Sequence, residues 1–151
     1  MGLKKGSFVV ADTVSVDDPY DINDPNVINL VGDAPTVVAS VDVCIKQPQK
    51  TQVSLDSMAQ IAVIDEEANV TFEVIYEILR NDTTIATIND EMDYVTANQG
   101  RHTNFPNFPL VDNNPSAGLN TYNLRCTLVT PPPEGSLTVG SRSLKATVFE
   151  C

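Results

Sequence analysis

The sequence contains no tryptophan, one histidine and three cysteines in 151 residues, and each shortage narrows the range of functions. Without Trp, and with its four tyrosines scattered, the chain lacks the aromatic platform that a carbohydrate-binding sandwich needs. The lone histidine, His102, sits beside Arg101 with no Ser or Cys nucleophile signature around it. A triad needs three cooperating groups, so no catalytic residue is assigned. Basic residues are also scarce, nine against twenty acidic ones, for a formal net charge of -11. That balance argues against nucleic acid, whose affinity comes from neutralised phosphates, and against anionic membranes. No apolar run approaches membrane-spanning length. MGLKKGSFVV lacks an apolar h-region and a cleavage site, and Gly6 stands where myristoylation requires Ser or Thr. The expectation is a chain made in the cytoplasm without a signal peptide, or a mature form to which a Met was added, inserted in no membrane and carrying no cofactor. Two glycosylation sequons, Asn69-Val-Thr and Asn81-Asp-Thr, then read as chance.

What is present is alternation. In Val70–Arg80, Val70, Phe72, Val74, Tyr76 and Ile78 share one face, while Thr71, Glu73 and Glu77 share the other. Period 2 over this length predicts a central strand at Val70–Leu79, one face packed and one wetted. Asn81-Asp82 then predicts a hairpin turn into a strand at Thr83–Ile88. Further short strands are predicted at Thr36–Ile45 (Val37, Ala39, Val41, Val43 and Ile45 on one face), Thr51–Asp56, Met58–Ile64, Met92–Thr96, Thr121–Thr130, Leu137–Val139 and Ser143–Phe149. Such a series of short strands punctuated by turns, without helical periodicity, predicts an all-β chain, an antiparallel two-sheet sandwich of jelly-roll type. An immunoglobulin-like sandwich is the alternative, weakened by the missing Trp and the cysteine spacing.

Two segments stand apart. Residues 1–36 form an N-terminal arm ahead of the sandwich domain, residues 37–151. It contains Phe8-Val-Val, Thr13-Val-Ser-Val and the acidic stretch DDPYDINDPN. A segment that poor in apolar residues needs a surface to lie on, its own domain or a neighbouring copy. Asp17, Asp18, Asp21 and Asp24 could offer oxygens to Ca²⁺, but lack the spacing and terminal Glu of an EF-hand loop, so no metal is assigned. The second segment is Asn98–Asn120, too long a connection to be left structureless without a function or a packing partner. Its apolar cluster, Phe105, Pro106, Phe108, Pro109 and Leu110, either contacts a partner or covers the open end of the sandwich.

The odd number of cysteines leaves at least one thiol free or shared with another chain. Strand phase turns Cys126 inward beside Tyr122, Leu124 and Leu128, and turns Cys44 and Cys151 outward. If any pair is oxidised, Cys44 with Cys151 is the pair, within or between subunits; three reduced thiols are the alternative.

An arm without a signal, a jelly-roll strand rhythm from Val37 to Phe149, and thiols Cys44 and Cys151 near its first and last strands form a recognisable combination. It resembles the self-assembling jelly-roll subunits of bacterial spore surfaces, the endospore-appendage and exosporium proteins. The resemblance implies a structural, non-enzymatic homopolymer with copies of itself as partners, ending on a spore or cell surface. In appendage fibres, arm cysteines cross-link subunits, whereas residues 1–36 here contain none. The arm would instead add a strand to a neighbour's sheet, with Phe8, Val10, Val14 and Val16 filling pockets. Phage tail, fibre or capsid-decoration proteins share these features, and a ligand- or carbohydrate-binding module is the remaining alternative.

Overall fold

A computed structural model of the chain describes residues 7–65, 69–95, 100–131 and 135–150. The element that organises it is the hairpin of β5 (Asn69–Arg80) and β6 (Thr83–Val95). Asn81 and Asp82 join them with φ of 48° and 68°, the left-handed turn that the strand twist favours and that Asn and Asp tolerate best after Gly. Around this hairpin lie β1 (Phe8–Val14), β2 (Ile28–Asn29), β3 (Thr36–Ile45), β4 (Thr51–Asp65), β7 (Gly100–Asn104), β8 (Leu110–Asp112), β9 (Gly118–Thr130) and β10 (Gly135–Glu150).

The strands form two antiparallel sheets. A front sheet runs β1-β10-β4-β7, with β2 also on β10 and β8 also on β4; a back sheet runs β3-β9-β5-β6. Outward from the β5–β6 hairpin, β4 pairs with β7, β3 with β9, and β1 with β10. That nested pairing, a ribbon rolled up from its middle, is the jelly-roll winding. The fold class read from the sequence is the one observed.

The core fills the space between the sheets. Phe72, Val74, Tyr76 and Ile78 of β5 and Tyr122, Leu124, Cys126 and Leu128 of β9 face Val53, Leu55, Ile61 and Val63 of β4 and Leu144, Ala146 and Val148 of β10. Two tyrosines tie the layers. Tyr76 donates to Ser57 Oγ at 2.8 Å, and Tyr122 donates to Asp112 Oδ2 at 2.7 Å. A buried hydroxyl needs such a partner, and here the partner lies in the opposite sheet.

Several expectations change. The short strands at Thr51–Asp56 and Met58–Ile64 are one strand, β4; those at Thr83–Ile88 and Met92–Thr96 are one strand, β6, with Thr96 outside the described residues. Leu137–Val139 and Ser143–Phe149 likewise belong to β10, interrupted by a bulge between Val139 and Arg142. A register slip between Val37 and Ala39 sends Val37 outward and Val38 inward, against strict alternation. The Asn98–Asn120 connection carries β7 and β8, which lengthen the front sheet along β4.

Candidate assembly surfaces

The arm is part of the front sheet. β1 lies on the chain's own β10, from Phe8 opposite Val148 to Val14 opposite Arg142. Phe8, Val10, Val14 and Val16, expected to fill a neighbour's pockets, sit here on their own sandwich. Phe8 stays exposed, Val10 packs against the core and Val16 is buried. After β1 the arm is clamped. Val16 N–H donates to Ser141 Oγ at 2.9 Å, and that hydroxyl donates back to Val16 O at 3.2 Å. Thr138 Oγ1 donates to Pro19 O, Leu30 N–H donates to Leu137 O, and β2 pairs with Thr138 and Val139. The buried guanidinium of Arg142 donates to Val38 O, Asn26 O and Gly140 O, joining β3, the arm and the bulge.

Between the clamps, the acidic stretch folds into three successive turns. Asp21, Asp24 and Val27 N–H donate to the carbonyls of Asp18, Asp21 and Asp24, respectively. Each of these three carboxylates also accepts the N–H two residues on, from Tyr20, Asn23 and Asn26. Asp18, Asp21 and Asp24 are thus organised by their own backbone, and no metal-holding group of three or more acidic, His or Cys side chains occurs among the described residues. The turns cross the outer face of the front sheet. Tyr20 reaches Arg101 on β7, whose guanidinium lies 4.6 Å from the ring centroid, and partial burial raises the Tyr20 pKa. Beneath the arm, Ala62 and Thr138 point outward from β4 and β10 yet are 1% and 2% exposed.

The other half of that face is bare. Val9, Thr147, Ser54 and Val111 face one another in a row across β1, β10, β4 and β8. Val9 and Val111 are 57% and 51% exposed, and Phe149, two residues along β10, is 46% exposed. In the loop cluster, Phe105 is exposed while Phe108 and Leu110 pack against the core. Phe108 N–H donates to Ser57 O, so this part of the loop covers the sandwich.

A second polar centre lies beside β8. Asp112, nearly buried, accepts two hydrogen bonds from Arg80 Nη1 at 2.6 and 2.7 Å, one from Tyr122 and one from Asn114 N–H at 3.0 Å. Burial alone would raise its pKa; the Arg80 and Tyr122 hydrogen bonds, the Asn114 N–H and the Arg80 charge together bring it below the ordinary 3.8. Arg80 and Asp112 border a cavity of about 290 Å³ with Ile85, Leu110, Val111, Asn113 and Asn114.

Cys126 is buried among apolar neighbours, as strand phase implied, and desolvation followed by the Asp90 charge pushes its thiol up to about 12. Cys44 is exposed with a free thiol, and Cys151 lies outside the described residues. His102 sits on β7. Asn104 Nδ2 donates to both oxygens of Asp90 on β6, so its Oδ1 accepts from His102 Nε2 at 2.7 Å. This network sews the β7 edge to the β6 edge.

No family model and no curated protein sequence matches the chain. Among solved structures, the VP2 subviral particle of infectious bursal disease virus superposes with a TM-score of 0.51 at 16% identity, over 97% of this chain and 33% of VP2. In fold, the chain resembles a capsid jelly roll. Latent PorU from Porphyromonas gingivalis gives 0.43 at 8% identity, over 98% of this chain and 13% of PorU. A family 35 carbohydrate-binding module from Clostridium thermocellum gives 0.24 at 13% identity, over 91% of this chain and 90% of the module. The chain spans about a third of VP2 and about an eighth of PorU. At these identities the VP2 likeness speaks for the fold alone.

Sequence reasoning missed Arg142 and the Arg80–Asp112–Tyr122 cluster. Their parity gave a signal: Arg142 shares the inward phase of Leu144, Ala146 and Val148, and Asp112 that of Leu110. A charge at a core-facing position calls for a partner in the opposing layer.

Proposed function

We propose that the chain is a structural subunit that self-assembles head-to-tail into a fibre or layer, each copy exchanging β1 with the next. One observation carries this reading: β1 contains no buried residue, and apart from its pairing with β10 it is held by Val10 against the core and by the Asp12 carboxylate, which accepts from Ser40 N–H at 2.9 Å, whereas the buried clamps on the arm begin at Val16. Ser15 is therefore a hinge between a strand that lies on the surface and a segment that is locked. Replacing a copy's own β1 by a neighbour's keeps the same seven facing pairs with β10, so exchange costs little beyond association. The reading gives the protein no catalytic role and places it on a spore or cell surface, or in a phage particle.

Thr13 and Ser143 provide the test. They face each other across β1 and β10 with hydroxyls 2.9 Å apart. In a chain with Cys44→Ser and Cys151→Ser, Thr13→Cys and Ser143→Cys should oxidise to covalent ladders when the protein is assembled. Assemblies seen by negative-stain microscopy whose bridges are all within chains would refute exchange. Uniform monomers at every concentration would refute assembly itself.

A ligand-binding module is the second reading, favoured by the cavity between Arg80, Leu110 and Asn114. It requires a small molecule to shift the backbone amide resonances of Val111–Asn114 specifically; removal of residues 1–14 should leave that shift intact.

A further inference from the structure

We infer that the cavity beside β8 is a binding site for an organic carboxylate with an apolar body. This site rests on the ligand-binding reading above and gives it a ligand class. Arg80 holds Asp112 through one nitrogen only: both hydrogen bonds leave Nη1, at 2.6 and 2.7 Å. The side edge of the guanidinium, Nε and Nη2, bonds to no described residue, although the side chain is only 20% exposed. That edge carries parallel N–H groups whose natural complement is a pair of oxygens on one planar group, as a carboxylate provides. Two amides add donors. Asn113 Oδ1 accepts from Gln52 Nε2 at 2.9 Å, which leaves its Nδ2, and the Asn114 side chain bonds to no described residue. Acceptors, by contrast, are already used. Asp112, the one carboxylate in the lining, accepts twice from Arg80 and once each from Tyr122 and the Asn114 N–H. A ligand that brings donors finds those oxygens taken, whereas one that brings acceptors finds the guanidinium edge and two amides.

The rest of the lining selects among acceptors. Ile85, Leu110 and Val111 form an aliphatic wall, and the volume of about 290 Å³ stands at the lower end of the range for small-molecule sites. Inorganic phosphate needs more donors than one guanidinium shared with Asp112 supplies, and would lay bare oxygens against that wall. A carboxylate on a short hydrocarbon chain sets its oxygens on the Arg80 edge and its chain on Ile85 and Leu110. The net charge of -11 does not forbid it. Charges farther than about 8 Å are largely screened at physiological salt. Within the cavity the Asp112 charge is met by Arg80, Tyr122 and the Asn114 N–H, which keep its carboxyl below the ordinary range in spite of burial. The site is separate from the β1–β10 pairing on which assembly by exchange depends.

The test titrates hexanoate and its neutral analogue hexanamide into the full-length protein at pH 7, with inorganic phosphate as a competitor. Ligand saturation-transfer NMR reads the binding in monomer and assembly alike. Hexanoate should bind roughly tenfold or more tightly than hexanamide, because only the carboxylate offers two charged acceptors to the Arg80 edge. Asn114→Asp, at an exposed position, sets a like charge beside the ligand. It should weaken hexanoate by a similar factor and hexanamide by less. Arg80→Lys keeps a cation for Asp112 but removes the planar edge, and should also weaken hexanoate roughly tenfold. Circular dichroism checks that both variants are folded; if Arg80→Lys is not, Asn114→Asp decides. Hexanamide binding as tightly as hexanoate, or phosphate displacing hexanoate at equal concentration, overturns the carboxylate assignment while the ligand-binding reading stands. Hexanoate binding that both variants leave unchanged lies elsewhere on the protein and overturns the site. Transfer to neither compound also overturns it; the ligand-binding reading falls with it only if no small molecule shifts Val111–Asn114.

Discussion

The two outer faces of this sandwich meet the same problem differently. On the back face the outward carboxylates of β5 and β6 find polar partners on neighbouring strands, while Val37, Leu119 and Val129 of β3 and β9 stay exposed. Glu77 accepts from Arg125 and Thr84, Glu73 accepts from Asn89 and Thr130, and Thr71 donates to Asp93. That face is finished by water. On the front face, outward positions hold Ala62, Thr138, Val9, Val111 and Phe149; the arm covers the first two and leaves the others bare. A sheet face that its own chain covers halfway is a surface with a built-in boundary, whereas a uniformly wetted face needs none. Under the proposed assembly, the half-covered front face is the candidate for contacts between copies.

The change that would disturb both faces most lies between the sheets. Asp112→Ala leaves Arg80 without its carboxylate and Tyr122 without its acceptor at a site only 5% exposed on the aspartate side. Removing one partner of such a pair costs about 3–5 kcal/mol, which chemical denaturation would measure directly. The pH dependence follows from the lowered Asp112 pKa. A carboxyl whose folded pKa is depressed contributes stability that is complete above the unfolded value, near 3.8, and is lost as pH falls through the folded value. Wild-type stability should therefore drop below about pH 4, with a steeper fall than in Asp112→Asn. Equal slopes for the two proteins would exclude Asp112 as the group responsible.

How much of this was legible depended on which face a strand belongs to. β5 read cleanly because Glu73 and Glu77 marked its wet side, and the Asn81-Asp82 turn fixed where it reversed. Cys126 and Cys44 fell on the sides that alternation assigned. The front sheet hid more. Ala62 and Thr138 are outward residues made interior by a segment more than thirty residues away, and no local pattern reports such a cover. β7 and β8 lie in a stretch rich in Asn and Pro because edge strands pair on one side only and tolerate such residues. The candidate contact residues were split the same way: Phe105 faces solvent, while Phe108 and Leu110 belong to the packing. The bulges at Val37–Ala39 and Val139–Arg142 shifted the parity on which several assignments depended.

The cover itself can be lifted. A Cβ at Gly140 would stand 2.5 Å from Gln60 Oε1 and 2.7 Å from Pro19 Cβ, and the latter belongs to the arm. Gly140→Ala should therefore push the arm away from the bulge at a cost of about 1–3 kcal/mol, typical of overpacking. Amide hydrogen exchange should show faster exchange at Val16 and Leu30, whose N–H groups are bonded to β10. The strand pairs of the back sheet should be unaffected. Protection lost equally in both sheets would mean that the arm is not a separable cover.

The smallest effect belongs to the finished face. Arg125 Nη2 reaches Glu77 Oε1 at 3.0 Å, with side chains 28% and 14% exposed. Arg125→Ala should cost no more than about 1 kcal/mol, because pairs open to solvent gain little over hydration. Added salt should shrink the difference further. Self-association should be unchanged or slightly weaker, since the substitution makes an acidic surface more acidic without touching the front face. If instead Arg125→Ala abolished association, the division between the faces would be reversed. The acidic, hydrogen-bonded back would then be where copies meet, and Arg125 its complementary charge.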